Sequence, residues 1–167
     1  DVVNSRVGLD TGNNDEFLRL WFEVDIQRIE FAAKDVEYLH SMRNKRFVPH
    51  TKGGEYRKWY GNNYSIIDWS NDGHELQTRL HDSGTRILAH NSLLMESGNH
   101  LPSRQFYFCE GMNWTRVSSK FAVRLSPSGS VFNSACPTVF VRDELENYTL
   151  ALLNSTVAKV YLDLLSP

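Results

Sequence analysis

The chain has 167 residues, 41% of them hydrophobic and 23% charged, with a formal net charge of −2. Those values fit one soluble globular domain able to bury its own core, and they exclude a membrane-spanning chain and a generically basic nucleic-acid binder. The polar opening Asp1-Val2-Val3-Asn4 is not a signal peptide, so a cytoplasmic location is expected; a start without Met and an end on Ser166-Pro167 read as a segment cut from a longer protein.

Taken in order, Val2, Val3, Val7 and Leu9 predict a short strand that leads into a turn at Thr11-Gly12-Asn13-Asn14, where Gly and Asn suit left-handed conformations. Phe17, Leu18, Leu20, Trp21, Phe22 and Val24 make a dense apolar run that predicts a buried strand, and Ile26, Ile29 and Phe31 continue it in extended form. Val36, Leu39 and Met42 recur at spacings of three and predict a helix over Lys34–Lys45, which Pro49 ends. Tyr64, Ile66, Ile67 and Trp69 then read as a strand that stops at Asn71-Asp72-Gly73. Asp72 is the expected cap of a helix to about residue 81, with Leu76 and Leu80 turned inward. Residues 83–104 are rich in Gly, Asn, Ser and Pro and read mostly as loop, with a short helical piece around Arg86–Met95.

The second half reads as sheet. Phe106–Cys109, Asn113–Val117, Phe121–Leu125, Val131-Phe132 and Val139–Val141 are the expected strands, with turns at Glu110-Gly111 and Ser126–Gly129. Leu150, Leu153, Val157, Val160 and Leu164 then stripe one face of a C-terminal helix over Leu145–Leu165. Strands with a few segregated helices make an α+β domain, β-rich and single over residues 1–167.

One stretch fits neither an amphipathic helix nor a half-buried strand. Lys52-Gly53-Gly54-Glu55-Tyr56-Arg57-Lys58-Trp59-Tyr60-Gly61-Asn62-Asn63 combines three cations, three aromatic rings, three glycines and two carboxamides. Lys and Arg meet phosphate charge, Arg forks onto a guanine edge and Asn pairs bidentately with adenine, so a DNA-facing loop would use this mixture. A Gly-rich turn with solvated charges and a buried Trp has the same composition, and composition does not choose between them. The charge balance sharpens the question. Residues 43–58 hold six cations against Glu55 alone, a net +5, which leaves −7 on the rest. A local cationic face on an acidic body suits a partner engaged at one place.

Catalytic signatures are missing from the chain: it has no P-loop, GxGxxG, HExxH or GxSxG. The six His, at 40, 50, 74, 81, 90 and 100, have no metal-ligand spacing and read as surface or locally bonded side chains. Cys109 and Cys136 form no CxxC pair and are expected to be reduced, buried thiols. The four N-x-S/T triplets read as chance in a chain without a secretory signal.

Several of these segments carry a family likeness. Gly8-Leu9-Asp10-Thr11-Gly12-Asn13-Asn14-Asp15-Glu16-Phe17-Leu18-Arg19-Leu20-Trp21 resembles the opening of the recognition region in large adenine-specific DNA methyltransferases, those of the PglX family of BREX phage-defence systems above all. Pro49–Asn62 looks like that family's basic loop, although His50 and Thr51 stand where an aromatic and Asn are usual. Tyr107-Phe108 with Gly111–Thr115, and Leu152-Leu153-Asn154-Ser155, are similar to its later strands and closing helix.

The resemblance implies a target-recognition domain that positions double-stranded DNA for N6-adenine methylation. Catalysis would lie in an upstream domain of the same polypeptide that binds S-adenosylmethionine, with no cofactor in this segment and with other BREX components as further partners. The Asn/Asp-Pro-Pro-Tyr/Phe motif of amino-group methyltransferases agrees with that division, because no Pro-Pro dipeptide occurs here. On this reading Lys52, Arg57, Lys58 and Arg46 contact phosphates; Asn62, Asn63 and Arg104 reach base edges; and Asn13 and Asn14 touch the DNA backbone from the first turn. Trp59 and Trp114 brace the loops from beneath. The rival expectation is a protein–protein module that docks an acidic partner surface through the same basic-aromatic loop.

Overall fold

A computed structural model describes residues 3–34, 44–78 and 101–165. In chain order the elements are β1 (Val3–Arg6), α1 (Asn14–Phe17), β2 (Leu18–Leu20), β3 (Phe47–Thr51), β4 (Ser65–Asp68), α2 (Ser70–Thr78), β5 (Gly111–Trp114), β6 (Val123–Ser126), β7 (Val131–Phe132), β8 (Thr138–Val141), α3 (Glu146–Leu153) and α4 (Thr156–Leu165). They form two four-stranded sheets, one ordered β1-β8-β5-β6 and the other β2-β4-β3-β7. Every pairing is antiparallel except β3 with β7, where His50 faces Val131 and Thr51 faces Phe132. Pro49 lies within β3, and the ladder to β7 begins only after it, at His50. The α+β class stands, and among the described residues no helix is long and apolar enough to cross a membrane.

The core has one large part and two smaller ones. Leu9, Phe17, Val48, Ile67, Trp69, Leu76, Tyr107, Phe108, Val131 and Phe132 pack as the main cluster. The Trp69 ring stands edge-on to Tyr107 at 5.7 Å and to Phe108 at 5.9 Å, an arrangement that aromatic quadrupoles favour. Met112, Val123 and Val139 bury the other sheet beneath Leu150 of α3. Ile29, Phe47 and Ile66 close the third cluster.

Several expectations change. The run Phe17–Val24 is not a buried strand: β2 ends at Leu20, and Trp21–Glu23 form a 3-10 turn with Trp21 and Phe22 exposed. The Glu23 carboxylate accepts from Leu20 N at 2.7 Å and so curls the chain back before the aromatic pair can enter the sheet. Ile26–Arg28 is likewise a 3-10 turn, capped by Asp25, and not an extended segment. Phe106–Cys109 is no strand either. Tyr107 and Phe108 are buried, but Arg104–Phe106 is a 3-10 turn and Phe108 has a φ of +67°. Asp72 does not cap from an extended backbone, because Asn71, Asp72 and Gly73 are all left-handed. The C-terminal helix breaks at Asn154-Ser155 into α3 and α4, and the α4 half of the apolar stripe, Val157, Val160 and Leu164, is exposed. Cys136 is buried, but Cys109 is exposed. Residues 35–43 of the predicted helix over Lys34–Lys45, with Leu80 and the piece at Arg86–Met95, lie outside the described residues.

Candidate nucleic-acid interface

Residues 52–63 form an irregular loop between β3 and β4 that side chains and backbone fasten at several points. Thr115 Oγ1 accepts from Gly54 N and donates to Gly54 O, both at 3.1 Å. Trp59 N donates to Val123 O at 3.0 Å and Trp59 O accepts from Leu125 N at 2.9 Å, so the loop covers the outer edge of β6. Trp59 does this with a φ of +72° and half of its surface exposed, and so does not brace the loop from beneath. Trp114, by contrast, packs against Phe121 in the second cluster. Gly61 turns at a φ of +135° beneath the Arg57 stem, where a Cβ would come within 2.6 Å of Arg57 Cδ.

The loop's two ends are tied by polar side chains. Asn62, 4% exposed, donates from Nδ2 to Glu55 O at 3.0 Å and accepts from the Tyr64 hydroxyl at 2.9 Å. Lys58 Nζ donates to Asn154 O at 2.7 Å. Asn154 is itself buried: its Oδ1 accepts from Val123 N, and its Nδ2 donates to Val123 O and Leu150 O. One carboxamide therefore joins the β6 edge, the end of α3 and, through its carbonyl, the loop.

The sequence-predicted residues thus divide. Lys58 and Asn62 hold the loop. Arg46 donates from Nε to Asp68 at 2.8 Å, a pair that raises the Arg46 pKa; burial pushes Asp68 up, but the hydrogen bonds from Arg46 and Ser70 outweigh it and hold the carboxyl below its ordinary value. Arg104 binds the Asp72 carboxylate and the Asp72 carbonyl. These four side chains are each bonded to a partner within the protein, Arg46 while 46% exposed. Asn13 caps α1 by accepting from Glu16 N, and Asn14 is exposed and accepts from Thr11 Oγ1 at 2.6 Å. Asn63 is half-buried with its Nδ2 unpartnered.

Lys52 and Arg57 remain exposed and form no ion pair among the described residues. They have neighbours that sequence reasoning missed. Arg116 is exposed next to Thr115, with its N–H on Ala135 O, and Lys120 stands over the Tyr56 ring at 5.7 Å. Arg19 shares with Lys52, Asn14 and Tyr64 an open groove of about 540 Å³, which Asp15 and Glu23 also line. Nothing in the spacing marks Arg116 or Lys120, since β5 and β6 deliver them from more than fifty residues away. Tyr56, Trp59, Tyr60 and Tyr64 are each 44–64% exposed beside these cations. Beneath them lies Arg124, 2% exposed, whose guanidinium reaches Thr115 Oγ1 and Cys136 Sγ at 3.4 Å each. Burial raises the Cys136 thiol to about 11, against the pull of Arg124, so it stays a neutral thiol. Among the described residues no group of His, Cys, Asp and Glu could hold a metal ion.

No protein-family model matches the chain. Among the curated proteins similar to it is an adenine-specific methyltransferase PglX of Lacticaseibacillus casei (strain Zhang), 36% identical over 171 residues that cover 100% of this chain and 13% of that protein. Another is an adenine-specific methyltransferase BrxX of Escherichia coli O9:H4 (strain HS), 35% identical over 165 residues, 96% of this chain and 12% of that protein. The chain thus spans a small part of the length of these relatives.

Proposed function

Because the chain belongs to the family of the adenine-specific methyltransferases PglX and BrxX, we propose that it reads double-stranded DNA and positions it for N6-adenine methylation, in a BREX phage-defence setting. The observation that carries this reading is the set of surface cations Lys52, Arg57, Arg116 and Lys120, which form no ion pair among the described residues and lie with exposed Tyr56, Trp59 and Tyr60 about a fastened loop. Phosphate contacts fix register on a duplex and need free cations on a defined frame. The groove that Lys52 shares with Asn14 and Arg19 adjoins this face, with Arg19 Nη1 donating to Asp15 O and Leu18 O and so held as a wall of the groove. Lys58, Asn62, Arg46 and Arg104 then support the interface without touching DNA, and Asn63 is the carboxamide left for base contact.

The chemistry is assigned to the rest of the polypeptide. S-adenosylmethionine does not fit the described residues: doubly wound nucleotide-cofactor sites lie at the carboxyl ends of parallel strands, and here β3 with β7 is the sole parallel strand pair among them. No methyl-transfer step is therefore built from this chain. A salt titration of duplex DNA binding tests the reading. Affinity that falls log-linearly with salt is expected; binding to an acidic protein, with no duplex DNA binding even at low salt, would favour the protein–protein module instead.

A further inference from the structure

A second concavity opens beside the loop's exit. It is about 430 Å³, within the roughly 300–1,000 Å³ of small-ligand pockets. Trp21, Phe31 and Tyr60 stand at its rim, exposed by 42%, 46% and 64%, while Asn63 and Ser65 lie at its polar end. The Trp21 backbone is held in place by its amide, which donates to Tyr64 O at 3.0 Å. The placement of Trp21 follows from the 3-10 turn that ejects it from the sheet.

Behind the pocket is a cavity of about 20 Å³ that shares the walls Pro49, Asn63, Ser65 and Pro127 with it and is backed by His50. His50 is 1% exposed, with Nδ1 3.4 Å from Ser65 Oγ and Nε2 without a partner. Burial lowers its pKa to about 3, so the ring is neutral and Nε2 carries no charge into the cavity. Asn63 Nδ2 is a second buried polar atom without a partner. Native proteins satisfy nearly all buried polar groups, so an unpartnered carboxamide in a residue that lines the aromatic-rimmed pocket, with an unpartnered imidazole nitrogen in the lining of the cavity behind it, marks a place where a ligand edge is met.

We propose that this pocket binds a nucleobase: the ring stacks on Trp21 and Tyr60, and its polar edge meets the Asn63 carboxamide. An apolar plug would cover the aromatic rim but leave the polar wall unmet; a base offers both a π-face and a hydrogen-bonding edge. The base is either extruded from bound DNA or part of a free nucleotide. The first source rests on the DNA reading above, and the second does not.

Trp21 fluorescence in the full chain distinguishes these cases, with Trp21→Phe to identify its share of the signal. The probes are each of the four deoxynucleoside monophosphates, an unstructured single-stranded oligonucleotide and a mixed-sequence duplex. Quenching by mononucleotides and by the single strand is expected. Tyr60→Ala, at a largely exposed position, should weaken it about fivefold or more, Tyr60→Phe should preserve it, and Asn63→Leu should flatten preference among bases. Quenching by mononucleotides with no duplex binding would keep the pocket as a free-nucleotide site and remove the DNA reading. Duplex binding with normal salt dependence, but no Trp21 response to any probe, would overturn the pocket and leave the DNA reading standing. An unchanged response in Tyr60→Ala and Asn63→Leu together would also overturn it.

Discussion

Two kinds of cation share the loop, and a single comparison separates them. Replacing Lys52, Arg57 and Arg116 by Ala removes three exposed charges that form no ion pair among the described residues, so the fold should lose little. If each meets one phosphate, the log–log salt slope of duplex binding should shrink by about 0.9 per contact, or roughly 2.7 in all. Between 50 and 200 mM salt a slope of that size is worth about 40-fold in affinity, so the triple variant should show a far flatter dependence across this range. Lys58→Ala makes the opposite prediction. It deletes a half-buried charged donor at 2.7 Å from Asn154 O, and should cost about 1 kcal/mol of stability. Its salt slope should stay within error of the parent. Fluorescence anisotropy with a labelled duplex at five salt concentrations, beside urea melts of each variant, gives both quantities. A triple variant with the parent's slope, or a Lys58 variant that loses slope without losing stability, would refute the division into contacting and supporting cations.

Other outcomes follow from the same geometry. Asn62→Ala should destabilise the chain by about 1–3 kcal/mol in denaturant melts, since Glu55 O and the Tyr64 hydroxyl both lose a partner; a loss of DNA sequence preference without loss of stability would return Asn62 to the bases. Asn154→Ala leaves the Val123 amide and carbonyl short of a partner at the β6 edge and should also cost about 1–3 kcal/mol, with faster hydrogen exchange at Val123 as the local sign. Stability should fall as pH drops below 6.5. His50 stays neutral in the folded chain down to about 3, whereas the unfolded chain takes up the proton from 6.5 downward, so the loss reaches about 2 kcal/mol by pH 5. His50→Gln should remove that share of the pH dependence, and an unaltered profile would mean that His50 titrates normally.

The sequence made much of the frame legible because local signals and long-range packing agreed there. The turn at Gly12, the strand that became β4, and β5 to β8 are marked by apolar runs between Gly, Asn and Pro, and each run found a core to enter. Trp21 and Phe22 misled because hydrophobicity reports a tendency to be covered, not the means. The Glu23 carboxylate on Leu20 N decides the chain direction first. Phe106–Phe108 is as apolar as a strand, with Tyr107 and Phe108 buried, but its backbone bonds go to Ser103, Arg104 and Ser130 instead of a ladder. In the interface, composition located the loop but could not tell a cation that faces solvent from one with a carbonyl at hand. That distinction lives in partners such as Asn154 and Asp72, far along the chain or across a turn.

The fastening of residues 52–63 has a thermodynamic consequence for whatever docks there. A disordered loop would give up backbone and side-chain freedom on association, commonly about 0.5–1.5 kcal/mol for each side chain immobilised. Here the bonds of Gly54 to Thr115, Trp59 to Val123 and Leu125, Lys58 to Asn154 and Asn62 to Glu55 have already removed that freedom during folding. The loop is preorganised. Complex formation should therefore show a heat-capacity change no larger than the contact area accounts for, without the excess that marks coupled folding.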